Sequence, residues 1–193
     1  MKPLWLVLGV VGLLILVLVF AGGSYVSAKN QMVAKDQNVQ AAFSEIDINL
    51  QRRADLIPNL VSTVKGYANV EESILTAIAN ARAGLMTAKT PDEKLAANDR
   101  LNVALLPLMR MQENYPQLKS NDQFMRLQDE LAGTENRIAI ARRRYNESIR
   151  DYNTYIQQFP NSIWAGIAGF RPKNEYYTAD QGSRTAPKVD FSK

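Results

Sequence analysis

Residues 122–159 read DQFMRLQDELAGTENRIAIARRRYNESIRDYNTYIQQF, and one set of positions returns in alternating steps of three and four. Phe124, Leu127, Leu131, Thr134, Ile138, Ala141, Tyr145, Ser148, Tyr152, Tyr155 and Phe159 keep that rhythm, with small or polar members at 134 and 148. Spacing of this kind marks one face of a long helix laid against another helix. From Asn121 to Phe159 the helix would span about 58 Å. A stripe that long needs a partner of similar length.

Only the opening of the chain supplies one. Val39, Phe43, Ile46, Leu50, Ile57, Leu60, Val61 and Val64 form a second three-four stripe, with Pro58 as an expected kink and Gly66 as an expected stop. Upstream, Pro3 to Ala28 (PLWLVLGVVGLLILVLVFAGGSYVSA) carries no charged residue. A helix over those residues reaches roughly 39 Å, enough for a hydrocarbon core of about 30 Å. Val26-Ser27-Ala28 also fits a signal-peptide cleavage pattern. Leu4 to Ala21 is longer than a usual signal-peptide core, so the stretch is read as a retained single-pass membrane anchor. Lys2 lies on one flank and Lys29 with Lys35 on the other, which by the positive-inside rule favours the bulk of the chain inside. The signal-anchor reading, followed here, puts the bulk outside the cytoplasm.

Three helix starts fall between and at the head of the long stripes, each a capping residue with Glu or Gln three positions on: Asn69 with Glu72, Thr90 with Glu93, and Ser120 with Gln123. The second helix runs to about Ala88. The third carries Pro107 and ends at Tyr115-Pro116. The fold expected is all-α: an N-terminal transmembrane helix continuing into an antiparallel four-helix bundle with two long and two shorter helices. It divides into an anchor (1–28), a helical bundle (29–160), and an apolar membrane-proximal segment with an irregular C-terminal tail (161–193).

Composition removes whole classes of chemistry. The 193 residues include no cysteine and no histidine. Ser-His-Asp and Cys-His nucleophiles, the usual zinc sets and the Glu-x-x-His di-iron motif are therefore unavailable. No metal, cofactor or catalytic residue is assigned. The net charge of +4 is spread over helical faces, so no nucleic-acid partner is expected. Arg142-Arg143-Arg144 fans over about 200 degrees of helix and is read as solvated surface with Glu147 nearby.

The most distinctive string is Gln51-Arg52-Arg53-Ala54-Asp55-Leu56-Ile57-Pro58-Asn59-Leu60-Val61, continuing through Val64-Lys65-Gly66-Tyr67. With Tyr115-Pro116-Gln117-Leu118-Lys119, Leu131-Ala132-Gly133-Thr134-Glu135-Asn136-Arg137-Ile138, Ala141-Arg142-Arg143, Tyr145-Asn146, Phe159-Pro160 and Ala186-Pro187-Lys188-Val189-Asp190-Phe191, it resembles the LemA family over nearly the whole chain. The resemblance implies a bacterial membrane-anchored protein with a four-helix, bundle-like domain and no established activity.

Arg53 and Glu135 are expected to form a structural polar layer. Arg53 stands about 40 Å along the first helix from Val26, and Glu135 about 36 Å along the fourth from Phe159, so antiparallel helices bring them level. Trp164, Ile167 and Phe170 are expected at the membrane interface, in a segment too short to span and too apolar for a free tail. Arg171 and Lys173 just beyond would suit lipid headgroups. Function is read as a scaffold that self-associates, with membrane lipids and other membrane proteins as partners, through apolar face on the membrane-proximal half of the long pair. The alternatives are a carboxylate-dependent cell-envelope hydrolase, using acids such as Asp47, Asp55, Glu135 and Glu147, and a ligand-sensing ectodomain.

Overall fold

A computed structural model describes residues 2–177. Six helices follow in order: α1 (Lys2–Lys65), α2 (Glu72–Thr87), α3 (Pro91–Asn114), α4 (Pro116–Lys119), α5 (Asp122–Gln157) and α6 (Asn161–Ala168). Among the described residues there is no strand. The fold is the all-α one expected, with two helices the stripes did not reveal, α4 and α6. The tail beyond Tyr177, and with it the string at 186–191, lies outside the described residues.

Apolar stretch and core stripe belong to one helix, because α1 runs through both without a break. Pro58 and Pro107 lie inside α1 and α3 at exposed positions. Helix α1 stops where Gly66 was expected to stop it: the Gly66 N–H turns back to the carbonyls of Ser62 and Thr63, at 3.3 and 3.2 Å.

Of the three expected starts, one stands as read. Thr90 Oγ1 accepts from the Glu93 N–H at 3.2 Å, and the Glu93 carboxylate accepts from the N–H groups of Thr90 and Lys89 at 3.1 and 2.9 Å. Those backbone donors hold the Glu93 carboxyl below its ordinary pKa. Helix α2 starts without a side-chain cap, at Glu71. There the buried Ala68 still donates its N–H to Val64 O at 2.9 Å, so the turn leaving α1 runs on to Ala68 and the N-cap position falls at Glu71 rather than Asn69. At α5 the cap is Asn121, whose Oδ1 accepts from the Phe124 N–H at 2.8 Å. Ser120 instead closes α4, its hydroxyl turned to the carbonyls of Pro116 and Gln117.

The chain folds as two compact units. One holds Glu45–Asn146 and, among the described residues, 175–177. Within it α1 and α5 are antiparallel, since Glu45 meets Arg144 (2.8 Å), Arg53 meets Glu135, and Tyr67 meets Asn121 (2.8 Å). Arg82 of α2 donates to Ala54 O at 2.8 Å, and α3 brings Lys94 to Asp47 and Asn98 to Arg53. Four helices thus alternate in direction around Ile46, Leu50, Ile57, Leu60, Leu101, Leu108, Phe124 and Ile138, all buried.

The other unit holds the chain up to Ser44 together with Glu147–Asn174. Its core is smaller: Ala28, Met32, Val39, Ile149, Tyr152, Ile156 and Ala165. The expected stripe of α5 departs here. Ser148 and Tyr155 are half-buried and Phe159 is exposed, while Ile149 and Ile156 are buried. A straight helix of 3.6 residues per turn drifts about 20° per heptad, which moves the inward face by one position.

Candidate functional site

The polar layer lies in the four-helix unit. Arg53 is seven residues past Ile46 on the inward face of α1, so its guanidinium enters the core with only 7% of its surface exposed. It donates to Asn98 Oδ1 at 3.2 Å, to Asn102 Oδ1 and to the Glu135 carboxylate. Helices α1, α3 and α5 each contribute to this cluster. Burial lowers the Arg53 pKa to about 10, with Arg142 adding repulsion and Asp99 partly offsetting it. The side chain remains a cation at neutral pH.

Around it the core is rich in donors. Arg53 Nε, Asn98 Nδ2 and the Nε and Nη2 of Arg142 are buried with no hydrogen-bond acceptor among the described residues. Arg142 is not the solvated residue the triple arginine suggested. It is half-buried, 4.0 Å from Asp99 Oδ1, and its guanidinium lies 5.9 Å from the centre of the Tyr177 ring. Arg143 and Arg144 are exposed, and Arg144 pairs with Glu45.

The acids of this unit named above for a hydrolase each meet their own partners. Asp47 pairs with Lys94, Asp55 with Gln51 and Arg82, and Glu135 with Arg53. Among the described residues no three of Asp, Glu, His or Cys gather in a way that would hold a metal.

A feature the sequence reading missed is the way α5 grips extended chain. In the four-helix unit, Asn146 donates to Tyr177 O and accepts from the Tyr177 N–H, both at 2.8 Å, while the Tyr145 ring lies 5.1 Å from that of Tyr177. Burial raises the Tyr177 phenol above its ordinary pKa, and raises Tyr145 to about 12. In the other unit the same device recurs. Asn153 donates to Lys173 O at 2.7 Å and accepts from the Lys173 N–H at 2.8 Å, and the Tyr152 hydroxyl donates to Arg171 O at 3.1 Å. A carboxamide presents an N–H donor and a C=O acceptor side by side, so it pairs with a backbone as a neighbouring strand would. The signal was present as Tyr145-Asn146 and Tyr152-Asn153, a dipeptide repeated after seven residues.

The expected interface residues sit in that second unit. Trp164 meets Tyr25 edge-on, ring centroids 5.7 Å apart. Ile167 is 66% exposed, and Phe170 is half-buried where its N–H bonds to Ala165 O. Gly169 closes α6 with φ 79°, the left-handed conformation that glycine takes without strain. Lys173 is engaged by Asp36, at 2.9 Å, rather than left for headgroups.

The LemA family model matches residues 42–191. The chain belongs to the LemA family. Within that family setting it is 28% identical over 174 residues to magnetosome protein MamQ 2 of Paramagnetospirillum magneticum, an alignment covering 77% of this chain and 64% of the relative. It is 27% identical to magnetosome protein MamQ of Magnetospirillum gryphiswaldense over the same shares. It is also 27% identical over 139 residues to protein LemA of Metamycoplasma hominis, covering 70% of this chain and 62% of the relative. The chain spans somewhat less than two thirds of the length of these relatives. It is thus an all-helical LemA-family protein whose α1 is long and apolar enough to cross a membrane.

Proposed function

We propose that the protein is a membrane-anchored scaffold that self-associates at the bacterial membrane and carries no catalytic activity. In this reading it crosses the inner membrane once, with the bulk of the chain outside the cytoplasm, and other membrane proteins dock on its helical faces. The Arg53–Glu135 layer fixes helix register and holds the docking faces rigid.

The observation that carries self-association is an apolar row on α3. Val103 and Leu106 point outward, and Leu106 borders a recess of about 380 Å³ shared with Leu105, Met109, Leu131 and Ala132, with the Arg53–Glu135 cluster also in its lining. On the membrane-proximal half of the long pair, where the sequence reading expects the contact, Val33 is exposed while Met32, Val39, Ile149 and Ile156 are buried. An apolar row beside a largely apolar recess favours a like surface on a second copy, as isologous contacts do.

The test is assembly state in nanodiscs or mild detergent. Oligomers should form at working concentration, and Val103→Glu with Leu106→Glu should shift them toward monomer without changing helical content. A protein that stays monomeric at every concentration refutes the reading.

A further inference from the structure

Helix α6 has two faces with different surroundings. Trp164 and Ala165 turn toward the protein, Trp164 onto Tyr25 and Ala165 into the core. Ile163 and Ile167, one turn apart, turn outward and are 52% and 66% exposed, and Phe159 just before the helix is 82% exposed. Residues 161–170 carry no charge. An exposed apolar face of this kind on a short helix calls for an apolar neighbour.

The position of α6 along α1 identifies the neighbour. Its first residue, Asn161, shares a recess with Val19, Phe20, Gly23, Ser24 and Ala28 of α1, and the Trp164–Tyr25 contact fixes the next turn. A span of about 20 residues that starts near the head of the chain ends at this level. Val19 and Phe20 are exposed here as well, so α6 continues the apolar surface of the span. Tyr25 and Trp164 together have the chemistry of an interfacial aromatic belt, and Lys29, 6.0 Å from the Tyr25 ring centre, lies on the side where headgroups begin.

We infer that α6 is a second membrane contact: an interfacial helix that sinks Phe159, Ile163 and Ile167 into the acyl-headgroup boundary beside the end of the α1 span. Its partner is the lipid surface itself. The inference rests on α1 being a membrane span, and it adds an element that sets depth and tilt by lying in the interface where α1 crosses it. Trp164 acts from the inner face, as the wedge that ties α6 to α1.

The absence of native cysteine allows single spin labels without removing any residue. Ile163→Cys, Ile167→Cys, Leu13→Cys and Asp129→Cys in the full chain, reconstituted in phosphatidylethanolamine–phosphatidylglycerol liposomes, are read against oxygen and an aqueous nickel chelate. Labels at 163 and 167 should show oxygen access severalfold above chelate access, at a depth between the Leu13 label, in the bilayer, and the Asp129 label, in water. Chelate access at 163 and 167 equal to that at 129, with Leu13 still in lipid, overturns the α6 contact and leaves the anchor standing. Shielding of 163 and 167 from both reagents also overturns it, since a second protein copy then covers the face. A Leu13 label open to the chelate overturns anchor and contact together.

Discussion

Leu13 and Ile48 lie on the same helix and are exposed to nearly the same degree, 63% and 68%, yet they belong to different solvents. Leu13 is ringed by other apolar residues on every side of α1, whereas Ile48 stands between Asp47 and Asn49 on a helix whose opposite side is packed. Exposure alone does not say what a residue faces. The pattern of its neighbours decides: a helix apolar and exposed all round suits lipid, whereas an apolar stripe suits a protein partner.

The strongest way to break this comparison is to shorten side chains in both regions. Leu60→Ala removes a fully buried side chain from the four-helix unit and should cost about 2–5 kcal/mol. Leu13→Ala should leave the unfolding midpoint of the reconstituted protein where it was. Equal losses in denaturant titrations would mean that the apolar stretch packs against protein after all.

Adding a charge sharpens the contrast from the other side. Leu13→Arg should cost about 2.5–3.5 kcal/mol of insertion free energy and lower the fraction that resists alkaline extraction, whereas Ile48→Arg should change stability by no more than about 0.5 kcal/mol. If Ile48→Arg releases the protein as readily, the boundary drawn between the two regions is misplaced.

The polar intrusion in the packed stripe gives the next effect. Glu135→Gln leaves Arg53 buried with only neutral acceptors, and Arg53→Met leaves a carboxylate that is 43% exposed at its side chain. Each single change should cost roughly 1–3 kcal/mol, toward the lower end where solvent screens Glu135. The double change should cost less than their sum. Strict additivity in the cycle would show that the layer does not act as a unit.

Smallest is the loss of one carboxamide grip. Asn153→Ala removes two hydrogen bonds and should cost about 1–2 kcal/mol. Its signature is faster hydrogen exchange at the Lys173 amide, with Asn146→Ala doing the same at Tyr177. Unchanged protection at both amides would leave the paired Tyr-Asn dipeptides without a role.

What was legible in the sequence depended on distance along the chain. Helices announce themselves through neighbours three and four apart, so α1, α3 and α5 were readable, and matching heights along two antiparallel stripes was enough to pair Arg53 with Glu135. Caps proved less certain, because Ser120 and Asn121 are both good caps and the choice was made by α4, four residues that no periodicity could reveal. The segment 171–177 was read as an irregular tail because its order comes from Asn146 and Asn153, some twenty to thirty residues earlier. Its own composition contains no record of them. Arg142 misled for the same reason: a run of three arginines reads as surface until Tyr177 and Asp99 are seen beside one of them.

Both compact units are assembled from separated stretches of chain, and this bears on the order of events at the ribosome. Synthesis proceeds from the N-terminus, so the residues up to Ser44 emerge before Glu147–Asn174 and wait for them to complete their unit. The whole of Glu45–Asn146 is made in the interval. Until Lys173 has left the exit tunnel, Asn153 has no backbone to hold, and Asn146 waits longer still for Tyr177. A nascent chain that stalls between α3 and α6 would expose Met32 and Val39 while its apolar head is already available to the insertion machinery. The stretch up to Ser44 is thus separated in synthesis from the residues that complete its unit by the whole of the four-helix unit's main segment.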